Sequence, residues 1–261
     1  MPKVSVIMGV YNCEHTLEEA VNCIINQSFT DWELIMCDDC STDNTYEVAL
    51  KLADKDNRII VLRNNSNMTL APTLNKCAIN AKGEYFARMD GDDVCAPDRF
   101  EKEVKILDDH KEYAVVSSWM NMYDENGIFR TVEYKENPQI KEFLISSPFC
   151  HAGCMMRKSA FDSVGGYSES MKYKRVEDYD LWTRLYKAGY VGYNIQEPLY
   201  SMRDDADATD RRTLCNRKNE ARVKKNIVKW FNFSIINYAY VLLPIIKGIV
   251  PRSIYVKLHK E

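Results

Sequence analysis

The sequence lacks several signatures of common enzyme classes. It has no glycine-rich loop ending in Lys-Ser or Lys-Thr, which argues against a P-loop nucleotide site. It also has no serine or cysteine in a recognisable nucleophile elbow. Cys37 and Cys40 have CxxC spacing, but no second cysteine pair at zinc-like spacing accompanies them. Other residue types must therefore carry any chemistry.

The N-terminus also lacks the features of a signal peptide, because Met1 to Lys3 lead directly into a strand-like run. We therefore expect the nine scattered cysteines to be free thiols in a reducing cytosol. The 261 residues are enough for one large α/β domain, or for one domain with an appendage.

Charge is unevenly distributed along the chain. Residues 211–261 contain twelve Lys and Arg against two Asp and Glu, a net charge of +10, whereas residues 1–210 carry −13. An acidic body with a basic tail indicates that the tail meets an anionic surface. We therefore divide the chain into a domain over residues 1–210 and a basic tail over residues 211–261.

Strand and helix signals alternate through the first hundred residues. Apolar runs at 4–8, 33–37, 59–62 and 85–89 predict strands, with helical patterns between them and after Pro97. This order predicts an α/β fold with a mostly parallel sheet between helices. Ligands in such sheets bind beyond the carboxyl ends of the strands. The second half is less regular, with a strand at 114–122, helix-like residues at 140–145 and a helix at 177–188.

The most distinctive stretch is the acidic turn after the fourth strand, which holds Asp90, Asp92 and Asp93. Three carboxylates on one turn repel each other unless a cation lies among them, and a divalent metal holding a diphosphate is the candidate. The alternative is a solvated acidic loop. Arg88 precedes the turn and could contact a phosphate or neutralise an aspartate.

Two other strand ends add a candidate nucleotide site. Tyr11 and Asp39 each follow a strand at the expected binding edge. An aromatic ring can stack on a uracil base, and a carboxylate can accept its N3–H. The alternatives are a partly buried tyrosine and an aspartate that stabilises a turn.

The later helix begins with the acidic pair Glu177 and Asp178. A carboxylate at a helix N-terminus is stabilised as the anion, which suits a general base and equally suits a helix cap. His151 has no partner evident from the sequence, and a lone histidine is more often structural than catalytic.

The basic tail contains an uncharged run at residues 230–246, rich in aromatic and aliphatic side chains. Its seventeen residues lie at the lower limit for crossing a bilayer. Lysines flank the run, so we expect an interfacial, amphipathic helix that contacts an anionic membrane surface. The alternative is a terminal helix pair packed on the domain or on a partner subunit.

Together these residues resemble the family 2 glycosyltransferases of the GT-A type. The resemblance covers about residues 3–203, and its motifs come in the family's order. Any one motif is weakly specific, but the ordered set is strongly specific. The matching stretches are residues 4–12, 37–43, 74–75 with 83–85, 88–93 with 97–99, 165–167 and 177–182.

The resemblance implies a GT-A (Rossmann-like) fold and an inverting, metal-dependent transfer of a sugar from a nucleotide diphosphate sugar. UDP is the expected nucleotide, Mn²⁺ or Mg²⁺ the expected metal, and Asp178 the expected base. The remaining assignments follow the matching motifs. The nucleotide would be held by Val10, Tyr11, Asp39, Arg88 and Asp90, the metal by Asp92 and Asp90, and the sugar or acceptor by the region of His151, Glu177, Trp182 and Arg203.

The sequence departs from the family at three positions. Cys40 and the position near Met68 often hold glycine in relatives, and Asp205 stands where many relatives place a metal-binding histidine. Asp205 is therefore a candidate third metal ligand. The Arg211-Arg212 pair and the tail resemble bacterial members that build surface polysaccharides, often on lipid-linked acceptors. These features indicate a cytoplasmic protein bound peripherally to the inner face of the cell membrane.

Two other functions remain open from the sequence. A sugar nucleotidyltransferase can use a similar α/β site, but its glycine-rich basic loop is missing, because residues 9–14 contain no Lys or Arg. A non-catalytic protein could bind nucleic acid through the tail. The acidic body and the aromatic run beside the lysines favour a membrane over nucleic acid.

Overall fold

The computed structural model describes residues 1–204 and 213–249. Asp205, Arg211 and Arg212 lie outside the described residues. Within these ranges the chain forms nine strands and eight α-helices. The strands are β1 (Val4–Val10), β2 (Trp32–Asp38), β3 (Ile59–Arg63), β4 (Tyr85–Arg88), β5 (Val94–Cys95), β6 (Tyr113–Asp124), β7 (Gly127–Val132), β8 (Met155–Arg157) and β9 (Val191–Arg203).

The helices alternate with the strands in the first half and flank or follow them in the second. Their buried faces are mostly apolar, which fits the helical spacing in the sequence, although α4 also buries the ion pair of Arg99 and Glu103. They are α1 (Leu17–Ile25), α2 (Thr45–Lys55), α3 (Leu70–Asn80), α4 (Arg99–Asp109), α5 (Lys158–Ser163), α6 (Glu177–Lys187), α7 (Leu214–Trp230) and α8 (Tyr238–Ile249).

All nine strands form one sheet in the order β3-β2-β1-β4-β8-β6-β9-β5, with β7 paired to β6. The strands β3, β2, β1 and β4 run parallel, and the second half of the sheet mixes parallel and antiparallel pairs. Hydrophobic clusters lie on both faces of the sheet. This is the expected α/β fold of GT-A type, with a sheet flanked by helices.

The strand order places three loops side by side. Strand β1 lies between β2 and β4, so the residues that follow all three strands meet at one edge. The Asp39 amide donates to the carbonyl of Val10 over 2.8 Å, which joins the ends of β1 and β2. The topology therefore brings together Tyr11, Asp39 and Asp90, as the sequence predicted.

Two predicted elements differ from the structure. Residues 140–145 contain only a short 3₁₀ turn, Glu142–Leu144, because Pro148 follows shortly and favours an extended preceding residue. The uncharged run at 230–246 is not one helix. Helix α7 ends at Trp230, Asn232 adopts a left-handed φ of 53°, and α8 starts at Tyr238. A left-handed residue cannot continue a right-handed helix.

Helices α7 and α8 form a terminal pair on the domain, which is the second of the two arrangements considered for the tail. In α7 the side chains of Val223, Ile227 and Val228 are buried in the cluster on one face of the sheet. Beyond α7 the chain exposes a run of large apolar side chains. They are Ile235, Ile236, Tyr238, Leu242, Leu243 and Ile246. No helix in residues 1–204 or 213–249 is both long and apolar enough to cross a membrane.

Candidate active site

A cavity of about 610 Å³ opens at the carboxyl ends of β1, β2 and β4. Several predicted site residues line it. They are Val10, Tyr11, Asp39, Asp90, Asp92, Glu177 and Arg203. The side chain of Tyr11 is 47% exposed, so its ring is accessible for stacking.

Asp39 lies at the base of this cavity and holds the loop that follows β3. One carboxylate oxygen accepts hydrogen bonds from Asn64 Nδ2 and the Met68 amide, both at 2.8 Å. The other oxygen accepts the Thr69 amide at 2.9 Å. Asp39 therefore has the turn-stabilising contacts that the sequence left open, and it remains on the cavity wall.

Two departures from the family fall at unusual backbone positions. Cys40, where relatives often carry glycine, has a φ of 63°. In the loop after β3 the residue with a positive φ is Thr69, one residue after Met68. Its φ is 74° and its ψ is 172°. Glycine alone adopts this second region readily, because a Cβ collides with the backbone there. The cavity wall therefore contains a strained threonine.

The acidic turn has the donor chemistry of a divalent metal site. One ligand atom from each of Asp90, Asp92 and Asp93 lies within 4.8 Å of the other two. Carboxylate oxygens are hard donors that suit Mg²⁺ or Mn²⁺. The residues present therefore fit such an ion. Asp205, the candidate third ligand, lies two residues beyond Arg203 and outside the described residues.

Arg88 has the second of its two predicted roles. Its side chain is fully buried, and its Nη2 lies 2.6 Å from an oxygen of Asp90. It does not line the cavity. The expected contact between Arg88 and the nucleotide is therefore wrong for this structure. The guanidinium instead neutralises Asp90 from behind the turn, since desolvated like charges would otherwise destabilise it.

Asp93 supports the turn rather than facing the cavity. Its side chain is 2% exposed, and its two oxygens accept from the Tyr200 hydroxyl and the Arg203 amide, each at 2.8 Å. Burial, together with the charges of Asp90 and Asp92, raises its pKa well above the ordinary value. Asp90 and Asp92, which line the cavity, are therefore the better candidate metal ligands.

Tyr200 and Arg203 connect the turn to strand β9. The Tyr200 oxygen also accepts the Asp90 amide at 3.2 Å, and Arg203 Nε donates to the Asp92 carbonyl at 3.1 Å. The Arg203 guanidinium pairs with Glu19 at 2.6 Å. Sequence analysis did not identify Tyr200, because no local pattern marks a tyrosine that contacts residues 107 to 110 positions away.

The predicted base lies in the first turn of α6. Asp178 is half-buried and accepts a hydrogen bond from Ser147 Oγ over 3.1 Å. Burial raises the pKa of both Asp178 and Glu177 above their ordinary values. Of the two, Glu177 lines the cavity and Asp178 does not. The structure thus brings the acidic pair to the site without deciding which residue is the base.

His151 and Trp182 are not on the cavity wall, which corrects their placement in the acceptor region. Trp182 is fully buried, with its ring centroid 5.7 Å from that of Phe149 and 6.2 Å from that of His151. His151 Nε2 hydrogen-bonds the Tyr167 hydroxyl at 2.8 Å, and burial lowers its pKa well below the ordinary value. A large aromatic at helical spacing packs in the core more readily than at a solvated site.

The cavity also has a wall that sequence analysis missed. This wall consists of residues 168–171 together with Lys174 and Arg175. The side chains of Lys174 and Arg175 are exposed. The available signal was a basic pair that only Val176 separates from the acidic pair of α6. We call residues 168–175 the strap.

Comparisons with known proteins agree with this architecture. The profile of Glycosyl transferase family 2 matches residues 5–165. The chain is 40% identical over its full length to the putative glycosyltransferase EpsE of Bacillus subtilis, covering 94% of that protein. It is 31% identical over 195 residues to WfaP of Escherichia coli, with 74% of each chain covered. WfaP is a UDP-Glc:alpha-D-GlcNAc-diphosphoundecaprenol beta-1,3-glucosyltransferase.

Among solved structures, TarS (residues 1–349) of S. aureus in complex with UDP-GlcNAc superimposes with a TM-score of 0.71 at 18% identity. The alignment covers 99% of this chain and 76% of that one. At this identity the likeness extends to the fold alone. The family match spans more than half of the chain, and the relatives agree with it. The chain is therefore a glycosyltransferase that belongs to glycosyl transferase family 2.

Proposed function

We propose that this glycosyltransferase transfers a sugar, with inversion, from a UDP-sugar to a hydroxyl of a saccharide or lipid-linked acceptor in bacterial surface polysaccharide synthesis. The observation that carries the proposal is the single cavity that joins Tyr11 and Asp39 with Asp90 and Asp92. The named activity of WfaP and the UDP-GlcNAc complex of TarS support the choice of UDP.

In this proposal the first two strand ends bind the base of the nucleotide. The exposed ring of Tyr11 stacks on uracil, and the Asp39 carboxylate accepts the N3–H. Asp39 already accepts three hydrogen bonds, two of them from the backbone of the 68–69 loop. Binding of the base therefore takes place against a carboxylate whose position is fixed before the donor arrives.

The diphosphate would be held through Mn²⁺ or Mg²⁺ by Asp92 and Asp90. When bound, such an ion acts as a Lewis acid that stabilises the negative charge on the leaving nucleoside diphosphate. Arg88 keeps one Asp90 oxygen in a fixed direction, and Tyr200 with the Arg203 amide fixes Asp93 below the turn. The turn is therefore supported by contacts that do not require the ion.

An inverting transfer is a single displacement and needs one base on the acceptor side. We assign this role to Asp178 because it matches the family motif. Its raised pKa makes the carboxylate a stronger proton acceptor than an exposed aspartate. Glu177 is the competing candidate, since it lies on the cavity wall. Separate Asp178→Asn and Glu177→Gln variants distinguish the two.

The terminal helix pair would bring this site to the inner face of the cell membrane. Residues 213–249 contain seven Lys and Arg against one acidic residue, and they expose the apolar run from Ile235 to Ile246. Basic and apolar groups together bind anionic lipid surfaces. In flotation assays with anionic liposomes, we expect Leu242→Asp to reduce binding and Ile79→Asp, at an exposed apolar site on α3, to leave it unchanged.

The test of the enzymatic proposal is nucleotide release. Purified full-length protein is incubated with a panel of UDP-sugars and saccharide acceptors, with Mn²⁺, Mg²⁺ or a chelator. We expect UDP release that requires both a metal and an acceptor. Release that persists in the chelator would refute the metal assignment. If no UDP-sugar binds but another nucleotide sugar does, the nucleotide assignment is wrong.

A further inference from the structure

The strap is held at both ends by hydrogen bonds from helix side chains. At its start, Asn75 of α3 donates to the Tyr167 carbonyl and to Glu169, each at 2.9 Å. At its end, the buried Asn219 of α7 donates to the carbonyls of Met171 and Lys174 over 3.2 and 3.1 Å. Two helices that are distant in sequence therefore hold this segment in place.

The strap presents two cations to the cavity. Lys174 and Arg175 are exposed, and within residues 1–204 and 213–249 neither forms an ion pair with a carboxylate. Most other charged residues of the cavity are acidic. Arg175 has a φ of 67°, an uncommon conformation for a non-glycine residue. Such a backbone is retained where surrounding contacts fix it, as the Asn219 bond to the preceding carbonyl does.

The two cations precede the candidate bases in the chain, which indicates that they lie on the acceptor side of the cavity. The strap leads directly into α6, whose first turn contains Glu177 and Asp178, the candidate bases for the acceptor hydroxyl. The donor diphosphate already has a proposed metal site at Asp90 and Asp92. The two cations of the strap therefore fit a second anionic group in the same cavity, because phosphate oxygens are strong partners for Lys and Arg.

We call the cavity lining formed by Tyr11, Asp39, Asp90 and Asp92 the strand-end wall. We infer that Lys174 and Arg175 bind the diphosphate of a lipid-linked acceptor while the donor occupies the strand-end wall. This inference rests on the proposed function and specifies its acceptor. It agrees with the diphosphoundecaprenol-linked acceptor in the name of WfaP. It also explains why the strap is anchored to α7, since the terminal helix pair then aligns the acceptor's phosphates with the lipid surface.

The experiment measures binding to full-length protein saturated with UDP and Mn²⁺. Calorimetry compares geranyl diphosphate with geraniol, which shares the hydrocarbon but lacks charge. We expect the diphosphate to bind at least about tenfold more tightly, and the double variant Lys174→Gln/Arg175→Gln to lose this preference. The matched control, Lys172→Gln/Lys218→Gln, removes two exposed charges that do not line the cavity and should retain it.

The possible results distinguish failure of the acceptor inference from failure of the proposed function. Equal binding of geranyl diphosphate by the wild type and by Lys174→Gln/Arg175→Gln overturns the inference. Displacement of UDP by geranyl diphosphate also overturns it, because the two cations would then bind the donor. Failure of UDP to bind the wild type with Mn²⁺ refutes the proposed function instead, and the inference falls with it. Thermal unfolding of each variant confirms that the fold is intact.

Discussion

The two walls of the cavity are formed by different physical means. The strand-end wall follows from sheet topology, because adjacent parallel strands must end at the same edge. The strap wall depends on side chains of α3 and α7 that hold an irregular segment from both ends. One wall is acidic and the other presents two cations. In the proposed function, the strand-end wall binds the donor and the strap wall binds the acceptor.

The largest expected effect concerns Asp178 in the first turn of α6, the helix that follows the strap. Replacing Asp178 by Asn should lower kcat by about 10²–10⁴-fold, the usual contribution of a general base, while leaving UDP binding near the wild-type value. Steady-state kinetics and calorimetry measure the two quantities. If Glu177→Gln shows the large loss and Asp178→Asn does not, the base is Glu177.

The stability of Asp178→Asn relative to the wild type should depend on pH. Burial raises the pKa of Asp178 in the folded state, so ionising this carboxyl costs stability. The cost is absent below the ordinary pKa of Asp and grows as the pH rises to the raised pKa. We therefore expect Asp178→Asn to be more stable than the wild type at neutral pH, with the difference vanishing in acid. Wild-type kcat should fall as the pH drops through the raised pKa.

The second effect concerns the strand-end wall. Asp92→Asn should lower activity by about 10²–10³-fold, because it weakens the electrostatic stabilisation of the leaving group. Unlike the Asp178 variant, it should also weaken binding of the UDP-sugar in the presence of Mn²⁺. Asp98→Asn, a partly exposed aspartate paired with Lys102 at 2.8 Å, is the control and should behave like the wild type.

The third effect tests the support beneath the acidic turn. Tyr200→Phe removes a hydroxyl that donates to the buried Asp93 and accepts the Asp90 amide. Losing one partner of a buried carboxyl costs about 1–3 kcal/mol in the free energy of unfolding. Denaturant unfolding measures this change. An unaltered stability, with unaltered Mn²⁺ affinity, would show that β9 does not support the turn.

The smallest effect concerns the strained residue of the strand-end wall. Thr69→Gly should stabilise the protein by about 1 kcal/mol, since glycine adopts its backbone conformation without the Cβ collision. Thr69→Ala keeps a Cβ and should give no such gain. If both variants change stability equally, the effect comes from the lost hydroxyl or methyl group and not from the backbone.

Residues of the strand-end wall could be predicted from the sequence, whereas residues of the strap wall could not. The sequence predicted that Tyr11, Asp39, Asp90 and Asp92 lie together. Each follows a strand, and adjacent parallel strands end at the same edge of the sheet, so the local strand patterns were enough for this prediction. The sequence could not choose between the roles of Arg88, since its burial depends on packing against the second half of the chain.

The remaining differences arise from tertiary contacts. Trp182 is an aromatic next to a predicted acidic motif, yet the packing of Phe149 and His151 around it makes it a core residue. The strap has no regular periodicity, and its position depends on single amide side chains at Asn75 and Asn219. Such contacts join residues that are 45 to 92 positions apart and leave no local pattern.

Donor binding and turnover, measured side by side in Asp92→Asn and Asp178→Asn, test the proposed roles of these two residues most directly. Calorimetry with the cognate UDP-sugar and Mn²⁺ gives binding, and UDP release gives turnover. We expect Asp92→Asn to lose both, whereas Asp178→Asn keeps donor binding and loses turnover. Donor binding lost equally in the two variants would contradict the assignment of donor binding to Asp92 and of the acceptor proton to Asp178.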